Sequence, residues 1–444
     1  MIELNHFFQN FELSPTLAAN ETVNRLRAQG RNIIHMGFGQ APFPVHERLI
    51  DKLAEHAGNN KYLPAVGIDE LRDAILSYYS DIMDVSSDTH DVIVAPGSKL
   101  LLFAVQMAVK GDLLMPVPSW VSYDPQARML GTQVIKVPTS LDDDGYHIDA
   151  QTLQLTIDNA RREGLNPAKI ILNYPNNPTG LTIPEDELEA IAKVCVANDI
   201  LIISDEIYGL VSYDKTYRSI SHYAPDHTFV TTGLSKHMAL GGWRMGLALV
   251  PKTLKGLTQL IQSIASETWS CVPAPVQYAV IEAYKRHEDV EKYIIDCCEI
   301  YDYMNSYIAD GLRKIGITCA LPQGAFYVYP DFEPYRETLL QKGVVTSEDL
   351  VSYLLETYGL VSLPGTAFGE EPEVLTLRLS ACDYDGAEVL QAYRDGEALD
   401  PNFVARYAPN IDLGIEAFAA SVEAQSFENF GTVISVRTKA LVDA

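Results

Sequence analysis

The stretch Thr231-Thr-Gly-Leu-Ser-Lys236-His-Met-Ala-Leu-Gly-Gly-Trp-Arg244-Met-Gly246 follows a short apolar run and combines one lysine with several small residues. A lone lysine in such a place is ordinarily a surface-loop residue. The alternative is a lysine that forms a Schiff base, which needs small neighbours so that a flat carbonyl cofactor can approach it. The lysine alone leaves both interpretations open, and the residues to compare with known signatures are Lys236, the Gly241-Gly242 pair and Arg244.

The same pattern, an apolar run that ends in polar or turn residues, recurs along the chain. The runs are Asp91–Ala95, Leu113–Val117, Lys169–Asn173, Ile200–Ser204 and Thr228–Thr232. Continuous apolar runs are typical of strands covered on both faces, and their alternation with helical patterns predicts an α/β fold with a mostly parallel, doubly wound sheet. Ligands of such sheets bind beyond the carboxyl ends of the strands, so the polar residues found there are candidate site residues.

The pattern changes near residue 290 and predicts a second domain. We expect a large cofactor-binding domain over residues 46–289 and a smaller α+β domain over residues 290–400, beginning with a long amphipathic helix. Residues 1–45 are expected to pack on the small domain. Residues 401–444 form a C-terminal extension to which the sequence assigns no role.

The segment around Lys236 closely resembles the lysine-attachment signature of class I pyridoxal-phosphate aminotransferases, which have the transferase fold called fold type I. Further motifs of that family follow in order over roughly residues 14 to 385. They are Lys61–Arg72, Tyr174–Gly180 with its Asn-Pro-Thr-Gly end, Ser204-Asp205-Glu206-Ile207-Tyr208, and Leu377-Arg378-Leu379-Ser380. Two further segments, Pro118–Tyr123 and Asn20–Gly30, resemble the matching segments of the subgroup that includes bacterial and archaeal aspartate aminotransferases.

The resemblance implies a role for each residue around the cofactor ring. Lys236 would carry pyridoxal phosphate, and Asp205 would keep the pyridine nitrogen protonated; taken alone, Asp205 reads as a helix N-cap. Tyr208 and Asn177 would hydrogen-bond the phenolic oxygen of the cofactor. Trp120 would stack on the ring, although a buried core tryptophan is its alternative.

The resemblance also implies a phosphate cup and a substrate subsite. Gly97, Ser98 and Lys99 open a predicted helix, whose N-terminal amides can hold a phosphate. The other phosphate contacts would come from Ser235, Arg244 and, from a neighbouring subunit, Tyr62.

Arg378 would hold the substrate α-carboxylate in a bidentate fork, with a surface salt bridge as its alternative. The remaining substrate contacts would come from Gly39, Trp120, Asn177, Ser14 and Lys99.

Two segments depart from the family pattern. Gly39-Gln40-Ala41 stands where relatives usually have Gly-Glu-Pro, and Gly233 stands where many have a phosphate-binding serine. Ser235 or Thr232 would then replace that serine. The departures leave the expected reaction class unchanged but bear on the substrate.

The resemblance implies a ping-pong aminotransferase, that is, a transaminase acting between an L-amino acid and a 2-oxo acid. Ser14 and Lys99 match residues that bind a distal carboxylate in the related enzymes, so aspartate, glutamate and 2-oxoglutarate rank first as substrates.

The same set of lysine, aspartate and arginine also serves a β-lyase, a decarboxylase or an aminocyclopropane-carboxylate synthase, and these reactions stay open. A sensor domain of a transcription regulator is disfavoured because no helix-turn-helix segment is found. A dinucleotide enzyme is disfavoured because Gly37-Phe-Gly39 lacks the third glycine of the fingerprint.

The chain of 444 residues has 33 Lys and Arg against 59 Asp and Glu, a formal charge of −26. Such a surface repels phosphate backbones and anionic lipid, so we expect no nucleic-acid or membrane partner.

No basic stretch precedes an apolar run at the N-terminus, and the six cysteines show no C-x-x-C spacing. These two features predict a cytoplasmic protein with reduced cysteines. The histidines form no cluster with metal-ligand spacing, so no metal is expected. Because Tyr62 would serve a neighbour, we expect a homodimer with shared sites.

Overall fold

The computed structural model describes residues 13–142, 145–213 and 217–423. The helices of this part of the chain are α1 (Pro15–Ala28), α2 (Glu47–His56), α3 (Asp69–Met83), α4 (Ser98–Ala108), α5 (Tyr123–Met129), α6 (Ala150–Arg162), α7 (Glu185–Ala197), α8 (Leu257–Thr268), α9 (Ala274–Val280), α10 (Glu288–Lys314), α11 (Arg336–Leu340), α12 (Ser347–Tyr358), α13 (Gly386–Arg394), α14 (Pro401–Tyr407) and α15 (Pro409–Val422). None of the helices described is long and apolar enough to cross a membrane.

The strands fall into one large sheet and three small ones. They are β1 (Ile34–His35), β2 (His90–Ala95), β3 (Asp112–Val117), β4 (Val134–Pro138), β5 (Ser140–Asp142), β6 (Gly145–His147), β7 (Pro167–Asn173), β8 (Leu201–Asp205), β9 (Thr228–Gly233), β10 (Gly246–Pro251), β11 (Tyr327–Val328), β12 (Leu360–Val361), β13 (Leu363–Pro364) and β14 (Leu377–Ser380).

The large sheet has seven strands in the order β2-β10-β9-β8-β7-β3-β4. All its strands run parallel except β10, which is antiparallel to both β2 and β9. The mostly parallel sheet is therefore confirmed, and each of the five predicted runs is a strand. The sequence patterns did not predict β10, which enters the sheet between β2 and β9.

Helices cover both faces of this sheet because alternate residues of its strands point to opposite sides. Ile93 and Ile171 pack in a core with α4, α5 and α8. Ile170 and Leu172 pack with α6 and α7 on the other face, and Val92 and Val94 belong to the core that includes α3. The doubly wound arrangement explains why these runs lack polar alternation.

A second group of elements surrounds α10, the long amphipathic helix that the sequence predicts. The strands β11, β14 and β13 form an antiparallel sheet, and β1 pairs in parallel with β12. Part of the C-terminal extension belongs here, since α15 contacts α10, α12 and β1. Val23, Leu26 and Ile33 of the N-terminal segment pack against Val361 of β12. The domain boundaries at residues 45, 289 and 400 stay predictions.

The start of β10 lies directly against the turn that opens α4. A Cβ atom on Gly246 would lie 2.2 Å from the backbone nitrogen of Ser98 and 2.4 Å from the carbonyl carbon of Gly97. Gly97 itself has φ +91°, which favours glycine. This close approach fixes the Gly97–Ser98 turn beside the end of the sheet.

We expect Gly246→Ala to lower the free energy of unfolding by about 1–3 kcal/mol, because the added methyl group must displace backbone. Gly242→Ala is the matched control, since a Cβ at Gly242 meets nothing within 4 Å. Urea denaturation followed by circular dichroism measures both variants. Equal stabilities for the two variants would contradict the close packing of β10 on this turn.

Candidate active site

A cavity of about 300 Å³ lies beyond the carboxyl ends of β7, β8 and β9. Twelve of the fourteen predicted site residues line it, namely Ser14, Gly39, Ser98, Lys99, Trp120, Asn177, Asp205, Tyr208, Ser235, Lys236, Arg244 and Arg378. Gly97 lies beside it, because a Cβ there would be 2.2 Å from Nη2 of Arg244. Tyr62 lies outside the cavity on the surface and is 93% exposed. A larger cavity, of about 440 Å³, lies among Tyr146, Arg313 and Asp331 and is lined by none of these residues.

Asp205 is the last residue of β8 and pairs in register with Asn173 on one side and Thr231 on the other. It is 3% exposed. Its Oδ2 accepts a hydrogen bond of 2.8 Å from the hydroxyl of Tyr123, whereas Oδ1 has no partner in the part of the chain described. Since no helix begins at Asp205, the N-cap alternative is wrong.

Burial raises the pKa of the Asp205 carboxyl to about 7, and hydrogen bonds from Tyr123 and the Ile207 amide offset part of that rise. A carboxylate in this position is therefore only partly ionised unless a positive group faces its free oxygen. The cavity supplies the space for such a group.

Lys236 follows β9 by three residues, and its Nζ donates a hydrogen bond of 2.9 Å to the carbonyl oxygen of Gly39. Nζ also lies 5.3 Å from the ring centre of Tyr208 and 5.2 Å from that of Phe326. Loss of hydration lowers the pKa of this amine to about 8. A fraction of the amine is thus neutral near physiological pH, as a nucleophilic or basic lysine requires.

A cluster of hydroxyl and amide groups lies between Lys236 and Arg378. The hydroxyl groups of Tyr208 and Tyr327 are 2.7 Å apart, and Asn177 Nδ2 donates to the Tyr327 hydroxyl at 3.3 Å. A Cβ on Gly39 would lie 2.1 Å from the same hydroxyl, so only glycine fits at residue 39.

Arg378 is 1% exposed, which excludes a surface salt bridge. Its Nη2 donates to the carbonyl of Gly37 at 2.6 Å and its Nη1 to Oδ1 of Asn177 at 3.4 Å. Its guanidinium carbon lies 4.7 Å from the ring centre of Tyr327, and its Nε has no partner in the described segments. A buried guanidinium without a carboxylate partner is a site for an anionic ligand.

A second positive region lies at the N-terminus of α4. Ser98 and Lys99 begin this eleven-residue helix, and the Nη2 of Arg244 reaches the carbonyl of Pro96 at 3.3 Å. Lys99 Nζ lies 4.9 Å from the ring centre of Trp120, which lines the cavity and is only partly buried. The free helix amides and the two cations together form an anion site.

The departure at Gly233 has a steric reason. A Cβ on this residue would lie 2.6 Å from the carbonyl oxygen of Met245, the residue before β10. Of the two candidate replacements, Ser235 lines the cavity. Thr232 is buried, and its hydroxyl donates to the carbonyl of Glu206 instead.

Sequence reasoning missed Tyr123 and Tyr327 as site residues. Tyr123 ends the family segment Pro118–Tyr123, and Tyr327 lies in β11. Their hydroxyl groups meet Asp205 and Tyr208, which are 82 and 119 positions away along the chain. No local pattern indicates such contacts.

The family model for aminotransferase class I and II matches residues 31–394. This chain belongs to that family. It is similar to the aspartate aminotransferase of Geobacillus stearothermophilus, with 31% identity over 87% of this chain and 96% of the relative. A probable aspartate/prephenate aminotransferase of Aquifex aeolicus is 33% identical over 80% of this chain and 89% of the relative.

A solved structure agrees with this assignment. The aspartate aminotransferase from Thermus thermophilus with maleate superposes with a TM-score of 0.80 at 27% identity, covering 95% of this chain and all of that one. The protein is thus an aminotransferase of fold type I. All three relatives are named as aminotransferases, so they give no support to the lyase, decarboxylase and synthase alternatives.

The lowered pKa of Lys236 predicts a pH-dependent cost to the stability of the cofactor-free aminotransferase. Below about pH 8 the folded chain carries a charged, poorly hydrated amine, and between pH 8 and 10.5 only the unfolded chain binds that proton. Lys236→Met should therefore raise the free energy of unfolding by on the order of 2–3 kcal/mol at pH 7 and by less than about 1 kcal/mol at pH 10.

Guanidinium denaturation at the two pH values measures this difference. Lys193→Met is the control, because Lys193 is an exposed residue of α7 that pairs with Glu189. A Lys236→Met effect that is independent of pH would contradict the lowered pKa.

Proposed function

We propose that this aminotransferase binds pyridoxal 5′-phosphate in the cavity around Lys236 and uses it with dicarboxylic substrates. The observation that carries the proposal is the free, buried Oδ1 of Asp205 in the same cavity as a lysine of lowered pKa. A protonated pyridine nitrogen fits this oxygen, and the anion site at α4 fits a phosphate. When bound, the cofactor supplies a sink for the electrons left when a substrate Cα loses its proton.

The residues around the cofactor ring each have a defined role in this proposal. Lys236 would hold the cofactor through Nζ, and the same nitrogen, when free, would take and return a proton as general base and acid. Asp205, oriented by Tyr123, would pair with the ring nitrogen. Tyr208 and Asn177 would hydrogen-bond the phenolic oxygen. Trp120 would cover one face of the ring.

The anionic groups have separate places. Gly97, Ser98, Lys99, Ser235 and Arg244 surround the phosphate. Arg378 binds the α-carboxylate through its free Nε and a terminal nitrogen, beside the Gly39 backbone.

Ser14 and Lys99 both line the cavity, and in this proposal they bind the distal carboxylate of the substrate. The similar Thermus aspartate aminotransferase is described with maleate, a four-carbon dicarboxylate, and this supports the same substrate class here.

The substrate class is tested by the lysine that would read the distal carboxylate. Because Lys99 is also placed beside the phosphate, the assay uses saturating pyridoxal phosphate. Lys99→Ala should then lower kcat/KM for aspartate about tenfold or more and kcat/KM for methionine by no more than about threefold, because a charge-assisted hydrogen bond contributes about 1.5–3 kcal/mol. The control is Lys193→Met, which lies outside the cavity. Equal losses for both amino donors would contradict a distal carboxylate at Lys99.

A cytoplasmic homodimer with shared sites is part of the same proposal. All six cysteines lie in the described part of the chain and none forms a disulfide, which fits a reducing compartment. Tyr62 is the most exposed large apolar residue described, at 93%, and it lies in the family segment that reaches a partner's phosphate. In an isolated subunit the Tyr62 ring is left in water, whereas a partner subunit would cover it.

Mixing inactive variants tests the shared site. Tyr62→Phe and Lys236→Ala subunits, co-refolded in equal amounts, should form mixed dimers with one intact site, giving about a quarter of the original activity. Asp205→Ala with Lys236→Ala is the control pair, because both residues belong to the same subunit's site and no intact site can form. Activity no higher than the sum of the unmixed variants would contradict the shared site.

A further inference from the structure

The carboxylate of Asp383, which follows β14, accepts hydrogen bonds from three segments that are remote in sequence. The donors are the backbone N–H of His35 in β1 at 2.8 Å, Nη2 of Arg27 in α1 at 3.1 and 3.2 Å, and Nδ2 of Asn410 in α15 at 2.8 Å. The Asp383 side chain is 16% exposed. Hydrogen bonds to an ionised acceptor from several donors hold such an acceptor firmly.

The bond to His35 completes the hydrogen bonding of β1. On one edge of this strand the amides of Ile34 and Met36 donate to Gly359 and Val361. The amide of His35 points to the opposite edge, where Asp383 is the acceptor. Removing that acceptor would leave a backbone donor without a partner.

The strand that Asp383 holds leads directly into the cavity. Gly37, two residues beyond His35, accepts from Arg378, and Gly39 accepts from Lys236. Arg27 ties the same carboxylate to α1, whose N-terminal end borders the cavity at Ser14. Both N-terminal segments that border the cavity are thus joined at one side chain, which itself lies outside it.

We propose that Asp383 is a positioning residue for substrate binding, because it fixes the position of the Gly37–Gly39 backbone relative to the Arg378 guanidinium. The inference rests on the proposed role of Arg378 as the site of the substrate carboxylate. Displacement of this backbone would leave the guanidinium less well oriented, because one of its nitrogens is directed by the Gly37 carbonyl. Asp205 and Lys236 come from β8 and from the segment after β9, so both would stay in place. The only hydrogen bond they share with the displaced backbone in the described part of the chain is the one from Lys236 Nζ to the Gly39 carbonyl, and in the proposed loaded enzyme Nζ binds the cofactor instead.

The test uses Asp383→Ala in the cofactor-loaded enzyme. Succinate is a dicarboxylate that does not react, and calorimetry measures its dissociation constant. Both this constant and the KM for aspartate should rise about tenfold, which corresponds to about 1.4 kcal/mol of binding free energy. The kcat and the affinity of the cofactor-free protein for pyridoxal phosphate should stay within about threefold. Arg27→Ala and Asn410→Ala each remove one donor residue and should raise both constants about two- to fivefold. These two variants replace Asp383→Ala in the test if that variant does not fold.

Two variants make the result specific. Asp385→Ala removes the exposed N-cap of α13, which accepts from the amides of Ala387 and Glu388, so it should lower Tm without changing KM. Arg378→Lys should raise KM and the succinate constant, which checks the underlying role of Arg378.

If Arg378→Lys raises both constants while all three variants of the Asp383 cluster leave them within about twofold, the inference is wrong and the proposed function stands. If Arg378→Lys changes neither, the proposed role of Arg378 fails and this inference with it.

Discussion

The free oxygen of the buried Asp205 carboxylate is the constraint on which the rest of the site depends. Removing an ionised carboxylate from water costs several kcal/mol unless a partner compensates, and here Tyr123 satisfies only one oxygen. Asn173 holds the backbone of the same residue by donating to its carbonyl at 2.7 Å. The sheet therefore presents a fixed acceptor. A cationic group that enters the cavity would keep this carboxyl ionised, and a protonated pyridine ring is such a group.

The acidity of the chain and the chemistry of this cavity have opposite signs. A formal charge of −26 belongs to the whole protein, whereas Lys99, Lys236, Arg244 and Arg378 line a single cavity. The proposed ligands, a phosphate and one or two carboxylates, are all anions. Net charge thus predicts which macromolecular partners are disfavoured, and the local arrangement of cations supports the proposed anionic ligands.

The sequence was sufficient for the parts of the fold that local pattern determines. The strands that end near Trp120, Asn177, Asp205 and Lys236 are visible as apolar runs, and their parallel pairing brings those residues to one edge. The contacts of Tyr123, Tyr327 and Asp383 were not predictable, because each joins segments that meet only after the chain has folded. The same reason explains β10 and the packing of α15, whose partners are distant in sequence.

Attachment of the cofactor to Lys236 in this cavity is tested most directly by reducing the loaded protein with borohydride and analysing its peptides by mass spectrometry. We expect a phosphopyridoxyl group on the peptide that contains Lys236 and, in Asp205→Ala protein, weaker cofactor retention before reduction. A modification found on another lysine, or none on Lys236 in fully loaded protein, would contradict this attachment.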